Sequence, residues 1–393
     1  MKMDIVCESL GVPKNTAGKT FIFILFGLTS LLAWNAILTE LNFFSINIKI
    51  DPFQYFSFLN FFPNIILQLI LLCKKDLFKV KCQLISGLIA SIVLIIIIPL
   101  LIIFLNSYET FLNITIIALI LIMGLINALL SSGFFAFVSF FPLEMIIALS
   151  TGQGFSGILM NVIKYIITFT TQGMETRKSE TIGAIAVFST TATILLICLI
   201  TLLFSLKTDY FNYYLNMNFD TNDIGRITTR TDEEDEEDNQ ELIDKNKEMT
   251  FYEMFCLLID IDILCAFIYI VTFAVYPVAF ADQKIFNLDI YNFNTILAIY
   301  NVFDTLGRYL VSKINPTKKI AYISILSRTV LIFTILFNYY LQKRNKYSTF
   351  SSIFLIINDS LLALSNGIGT TVCFGIAPTL VKNELKGQAG ASV

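Results

Sequence analysis

The hydrophobic positions of this chain fall into long uninterrupted runs, with neither the alternation of a half-buried strand nor the one-sided stripe of a surface helix. Ile85–Leu105 carries no charged residue at all. A run of about 20 apolar residues crosses a bilayer as a helix. In lipid the backbone has to satisfy its own hydrogen bonds, so such runs fold as helices. The pattern predicts ten spans, near Thr20–Phe44, Pro52–Cys73, Cys82–Leu105, Phe111–Phe140, Leu143–Thr171, Thr181–Leu206, Phe255–Phe280, Asn294–Val311, Ile320–Leu341 and Ser352–Val381. The connections are short except for Lys207–Met249, which is polar and acidic and has too little apolar content to build a core of its own. The expected organisation is therefore a tail over 1–19, a six-helix bundle over 20–206, an acidic disordered loop over 207–250, and a second bundle over 251–393.

Composition supports an all-α polytopic membrane protein. Of 393 residues, 56% are hydrophobic and 15% charged, against about a quarter charged in soluble domains. The net charge of −3 conceals its distribution: the carboxylates of Asp232–Asp238 outweigh an otherwise mildly basic chain. No basic patch with interleaved aromatics suggests nucleic-acid binding. The chain has no His, so the commonest metal ligand and the commonest general base near neutral pH are missing. Its seven Cys show no metal or disulfide spacing. The first apolar run is too long for a cleavable signal.

Short-loop lysines set the expected orientation. Lys2, Lys14 and Lys19, then Lys74, Lys75, Lys79 and Lys81, then Lys313, Lys318 and Lys319 share one side, expected to be cytosolic together with the amino terminus and the acidic loop. Arg177, Lys178, Lys343, Arg344 and Lys346 fall on the other side and run against the rule. Asn113-Ile114-Thr115 is a glycosylation sequon beside the membrane. Asn358-Asp359-Ser360 is a second match inside a span.

Polar residues inside spans are costly and mark cavities or partner helices. In Asn301-Val302-Phe303-Asp304-Thr305-Leu306-Gly307-Arg308, Asp304 and Arg308 stand four apart and share a helix face with Asn301. Two readings remain open: a paired polar stripe that hydrogen-bonds a neutral solute, or a buried ion pair that only fixes packing. In Ser150-Thr151-Gly152-Gln153-Gly154-Phe155-Ser156-Gly157 the small residues permit close helix approach, and Gln153 is a candidate ligand contact. Ser365-Asn366-Gly367 with Pro378 suits packing or gating. Trp34, the only Trp, stands next to Asn35 in mid-span. Asp260 and Asp262 could relay a proton or lie solvated at the membrane boundary, and Glu144 sits in a short turn after Pro142.

In this order the clusters resemble the equilibrative nucleoside transporter family. The similarity runs from Phe26-Gly27-Leu28-Thr29-Ser30-Leu31-Leu32-Ala33-Trp34-Asn35 through Gly152-Gln153-Gly154, Val271-Thr272-Phe273-Ala274-Val275-Tyr276-Pro277, Asn301…Asp304…Arg308 and Ser365-Asn366-Gly367 to Gly387-Gln388-Ala389-Gly390. The resemblance implies a major-facilitator-like bundle of eleven helices, six plus five, in which Ala389-Gly390 leads into the last helix. That helix is expected to be missing here, since the sequence stops at Val393. Ala33 replaces the family's usual Pro, and Ser131 stands where a base-recognising Gln is common in span four.

The resemblance implies facilitated diffusion of nucleosides or nucleobases by alternating access. Leu31, Trp34 and Leu38 would form an apolar wall and Tyr276 would stack near the base. Ser131 stands at the base-recognition position, and Asn301, Asp304 and Arg308 would hydrogen-bond sugar or base. Asn35, Gly152, Gln153, Gly154, Gly157, Ser365, Asn366, Gly367 and Pro378 would pack or gate. No cofactor or metal is implied. The expected partners are a small-molecule substrate and the lipid bilayer, and the expected location is the plasma membrane, with an intracellular membrane as the alternative. The alternatives are a carrier of another small neutral solute, or a membrane-embedded metal-dependent transferase using Asp260 and Asp262.

Overall fold

The computed structural model describes residues 17–73, 80–105, 107–215, 251–275, 286, 292–344, 349–381 and 385–392. Among them stand ten long helices: α1 (Ala17–Thr39), α2 (Pro52–Cys73), α3 (Val80–Phe104), α4 (Glu109–Val138), α5 (Leu143–Thr170), α6 (Thr176–Ser205), α7 (Phe251–Val275), α8 (Asn292–Leu310), α9 (Lys318–Lys343) and α10 (Thr349–Ile376). Short helices Leu41–Asn47 and Lys386–Ser392 follow α1 and α10. All except α8 are long and apolar enough to cross a membrane. Within its 19 residues α8 carries Asn292, Asn294, Asn301, Asp304 and Arg308, so its own lipid affinity is low and neighbouring helices have to accept its polar side.

The bundle is apolar outside and mixed inside. On α9, Ile323, Leu326, Val330, Phe333 and Phe337 are exposed at helical spacing, while Ala321, Ser324, Arg328, Ile335 and Asn338 are buried on the opposite face. That is the division expected of a helix with lipid on one side and protein on the other. With successive spans alternating in direction, α1 begins at what we term the first face and ends at the second.

Helices α1 to α6 form one half, in which α1 lies along α5 and α4 lies against α2 and α3. Helices α7 to α10 form the other, with α10 packed on α8 and α9. The halves meet chiefly along α5 and α8. The start of the long acidic connection departs from the sequence expectation. Residues 209–215 are helical, and Phe211 stacks on Phe23 and Phe137 with centroids 5.6 and 5.8 Å apart. Lys19 lies 3.7 Å above the Tyr210 ring. The short sequence Tyr210-Phe211 has enough aromatic surface to dock, even though the tract that follows it is acidic. Residues 216–250 lie outside the described residues.

Candidate functional site

Three helix crossings bring the polar motifs together, and each is set by glycine. Where α1 meets α5, a Cβ on Gly27 would overlap the Leu149 carbonyl, and one on Gly152 would overlap that of Ile24. Where α8 meets α10, a Cβ on Gly307 would strike the Leu364 carbonyl and one on Gly367 that of Asp304. At the α5–α8 crossing, Gly154 faces Thr305 and Gly157 faces the Asn301 amide, with no room for a side chain at either. Small residues let backbones approach where no hydrophobic effect drives helices together.

The contacts between α5 and α8 run in antiparallel register. Tyr165 Oη lies 2.8 Å from Thr295 Oγ1 at the second face. Gly157 and Asn301, then Gly154 and Thr305, follow in mid-helix. Gln153 and Ser150 meet Arg308 toward the first face. The halves also touch through Phe53 and Phe293 (centroids 5.1 Å, edge to face) at the second face. At the first face Phe135 and Phe374 stack at 3.8 Å, and Ser150 and Thr371 share a 2.6 Å hydrogen bond.

Asp304 and Arg308 form a buried pair: Arg308 Nε donates to Asp304 Oδ2 at 2.7 Å. Arg308 Nη1 donates across the interface to Ser150 O (3.2 Å), Ser150 Oγ (3.0 Å) and Gln153 Oε1 (3.0 Å). Asn366 Nδ2 donates to Asp304 Oδ1 at 2.7 Å. Gln153 Nε2 donates in turn to Ser30 Oγ at 3.1 Å, tying α1 into the same network. Most of the charged pair's hydrogen-bonding capacity is thus spent inside the protein. Arg308 Nη2 and the half-buried Asn301 amide make no hydrogen bond to any described residue.

The network continues to a residue that the motif reading overlooked. Arg328 on α9 is the largest fully buried side chain among the described residues. Its Nη1 donates to Leu362 O at 3.0 Å and Ser365 Oγ at 3.3 Å, and its Nη2 to Ile268 O at 3.2 Å and to Thr272 Oγ1. The Thr272 hydroxyl lies within reach of Asn366 Oδ1 (3.0 Å), which closes the chain of contacts back to Asp304. No carboxylate of the described residues lies within ion-pair distance of Arg328. Asp359 on α10 is buried, and neither of its oxygens has a hydrogen-bond partner. A third set, Glu40 and Lys164 buried and Glu180 half-buried, ties the end of α1, α5 and α6 near the second face. All of these are ionisable residues inside or at the end of apolar runs, a signal present in the sequence.

The other sequence candidates distribute as follows. Trp34 is buried and meets Phe61 edge to face at 5.9 Å; Leu38 is buried, and Leu31 and Ser131 are half-buried. Asn35 Nδ2 donates to Ser156 Oγ at 2.6 Å, a second tie between α1 and α5. Pro378 is buried in the turn after α10. Tyr276 lies outside the described residues. Asp260 is exposed and 3.6 Å from Lys318, whereas Asp262 accepts from Ser392 at 3.3 Å. Residues two apart on a helix do not face each other, and no group of three metal-ligating side chains occurs among the described residues. The sequon Asn113 is engaged on both sides: it donates to Glu109 O and accepts from Lys49 N.

Two helical halves closed on a glycine-lined polar crossing define a class, and comparison with solved structures gives the same fold. The chain is similar to the major facilitator superfamily proton:xylose symporter XylE bound to 6-bromo-6-deoxy-D-glucose. The TM-score is 0.63 at 14% identity, covering 95% of this chain and 84% of that one. It is also similar to the major facilitator superfamily transporter FucP in the outward conformation, at TM-score 0.59 and 12% identity, covering 96% and 88%. At these identities the likeness is one of fold. The nucleoside transporter family model matches residues 116–393, and the chain belongs to that family. No curated protein matches it. It is a multi-pass integral membrane transporter of a small molecule.

Proposed function

We propose that the chain carries nucleosides or nucleobases across the membrane by facilitated diffusion and alternating access. The observation that carries this reading is the α8 stripe. Asp304 and Arg308 cancel each other's charge and are held by Asn366, Gln153 and Ser150, which leaves Arg308 Nη2 and the Asn301 amide as unused polar groups. An uncharged solute with several donors and acceptors suits that inventory. A nucleotide phosphate would require cations beyond a compensated Arg. Trp34, with Phe61 edge to face against it, offers an apolar wall for a base, with Leu31 and Leu38 beside it on α1.

In this reading α5 and α8 are the pair on which the halves rock, opening toward either face in turn. Contacts at both ends of the pair correspond to a closed intermediate. The amino terminus and the first face are cytosolic, following the lysine bias of the short loops, and the plasma membrane is the proposed location. The test is uptake of labelled adenosine, inosine, uridine and hypoxanthine into proteoliposomes holding the full chain. Saturable uptake of at least one, blocked by the unlabelled compound and not by its monophosphate, is the expected result. Uptake of xylose or fucose with none of these four would transfer the chain to another solute.

A further inference from the structure

At the second face, away from the α8 stripe, three charged side chains meet in the first half. Lys164 Nζ on α5 donates to Glu40 Oε2 at 2.8 Å and to Glu180 Oε2 on α6 at 2.7 Å. Glu40 stands between α1 and the short helix Leu41–Asn47 and is 0% exposed, and the Lys164 side chain is 4% exposed. The Glu180 side chain keeps 17% of its surface open. Gly183 lies over the contact: a Cβ there would come within 3.2 Å of Lys164 Nζ and 3.8 Å of Glu40 Oε2. The sequence has kept this spot free of a side chain.

The charges do not balance. Two carboxylates face one ammonium, which leaves an excess negative charge when all three are ionised. Among the described residues no other charge compensates it. The short helix Leu41–Asn47 carries none. Arg177 on α6 is exposed and turned to Asn47 Oδ1 at 3.3 Å, Lys178 is exposed, and Lys49 is paired with Glu109 at 2.9 Å. Glu40 Oε1 is buried and has no hydrogen-bond partner. An unpaired buried charge costs several kcal/mol, and an unpartnered buried carboxylate oxygen adds its own desolvation penalty. Adding one proton to Glu40 removes the excess charge and gives Lys164 to Glu180 alone.

We propose that Glu40, Lys164 and Glu180 form a proton-binding site that makes transport depend on the pH at the second face. A hydronium ion reaching partly open Glu180 gives its proton to Glu40 and leaves as water, and the cluster passes from net negative to neutral. In the deprotonated state Lys164 clamps α1 to α5 through Glu40. Protonation releases that clamp one residue from Tyr165, whose hydroxyl closes the halves against Thr295. Acid at the second face therefore frees α5 to move, and uptake falls as that pH rises. The site's effect on uptake rests on the transport reading above, whereas proton binding itself does not.

The experiment keeps the two apart by measuring the melting temperature of the purified full chain and its uptake, each between about pH 5 and about pH 8. Glu40→Gln is the neutral mimic of the protonated state. A proton held by the folded protein and given up by the unfolded chain stabilises at low pH, and that contribution is lost as pH rises. The wild type should therefore lose melting temperature relative to Glu40→Gln over this range, with uptake falling several-fold while the variant stays flat. Glu180→Gln, which balances the cluster by removing the other carboxylate, should flatten both curves too, and it serves if Glu40→Gln fails to fold. Parallel melting curves for wild type and both Gln variants would overturn the proton site, whatever is transported. A shift caused by sodium in place of choline at fixed pH, lost in Glu40→Gln, would also overturn it in favour of a metal cation. A pH-dependent melting difference with no nucleoside or nucleobase uptake at any pH would leave the proton site standing and remove the substrate reading.

Discussion

Removing Asp304 and Arg308 singly and together separates their structural work from their part in transport. In Asp304→Ala the guanidinium loses its 2.7 Å partner at Nε but keeps three acceptors at Nη1. In Arg308→Ala the carboxylate keeps only the Asn366 amide, and the Gln153 side-chain oxygen and the Ser150 backbone and hydroxyl oxygens all lose their cation. Breaking a buried pair typically costs about 3–5 kcal/mol, and a hydrogen bond to a charged group is worth about 1.5–3 kcal/mol. Arg308→Ala should therefore be the more damaging change, by about one to two such hydrogen bonds after relaxation. The double variant removes both charges and should recover folded protein beyond either single variant, with a coupling of about 1–3 kcal/mol in the cycle. The assay is melting temperature and surface level, followed by uptake per surface molecule. Uptake should stay low in the double variant, because α8 has lost the Arg308 tie to Ser150 and Gln153 on α5 and the one free guanidinium nitrogen. Normal uptake in the double variant would reduce the pair to packing alone. Additive losses in folded protein would refute the pairing argument itself.

Other consequences follow from the same geometry. Gly154→Val places methyl groups against the Thr305 backbone and should cost about 1–3 kcal/mol by overpacking, measured as a lower melting temperature with impaired uptake. Arg328→Lys keeps the charge but cannot reach Leu362, Ser365, Ile268 and Thr272 together, since a single ammonium lacks the guanidinium fork; folded yield should drop, and wild-type yield would contradict the role given to the fork. Tyr165→Phe and Thr371→Val each remove one hydrogen bond across the halves, at opposite faces. Each bond is worth about 1 kcal/mol, so amide exchange should rise at the second-face end of α5 in the first variant and at the first-face end in the other.

The spans were legible because lipid leaves the backbone one solution, and even polar α8 could be placed, since Asp304 and Arg308 pair only on a helix. The partners of that pair could not be read. Ser150 and Gln153 lie some 155 residues from Arg308 in sequence, and only the antiparallel register of α5 and α8 brings them together. The glycines suggested close packing without naming the opposing atoms. Arg328, Lys164, Glu40 and Asp359 were visible as ionisable residues in apolar surroundings. No contiguous polar cluster singles out Arg328, Lys164 or Glu40, because their partners come from other helices, and Asp359 shows only as the middle of a sequon match. The docked segment 209–215 was hidden by the acidic tract beyond it, whose composition dominated the reading of the whole connection.

The most direct test of the central claim is uptake of labelled adenosine, inosine, uridine and hypoxanthine into proteoliposomes, by wild type and by Asn301→Ala. The account predicts saturable wild-type uptake of at least one of them, competed by its unlabelled form and indifferent to its monophosphate. It further predicts a raised KM in Asn301→Ala in protein that still folds and inserts, since the Asn301 amide, although packed against Gly157, makes no hydrogen bond to a described residue and keeps its donors and acceptor for the solute. No uptake of any of the four by protein that is folded and correctly inserted would contradict it, as would an Asn301→Ala variant with wild-type KM.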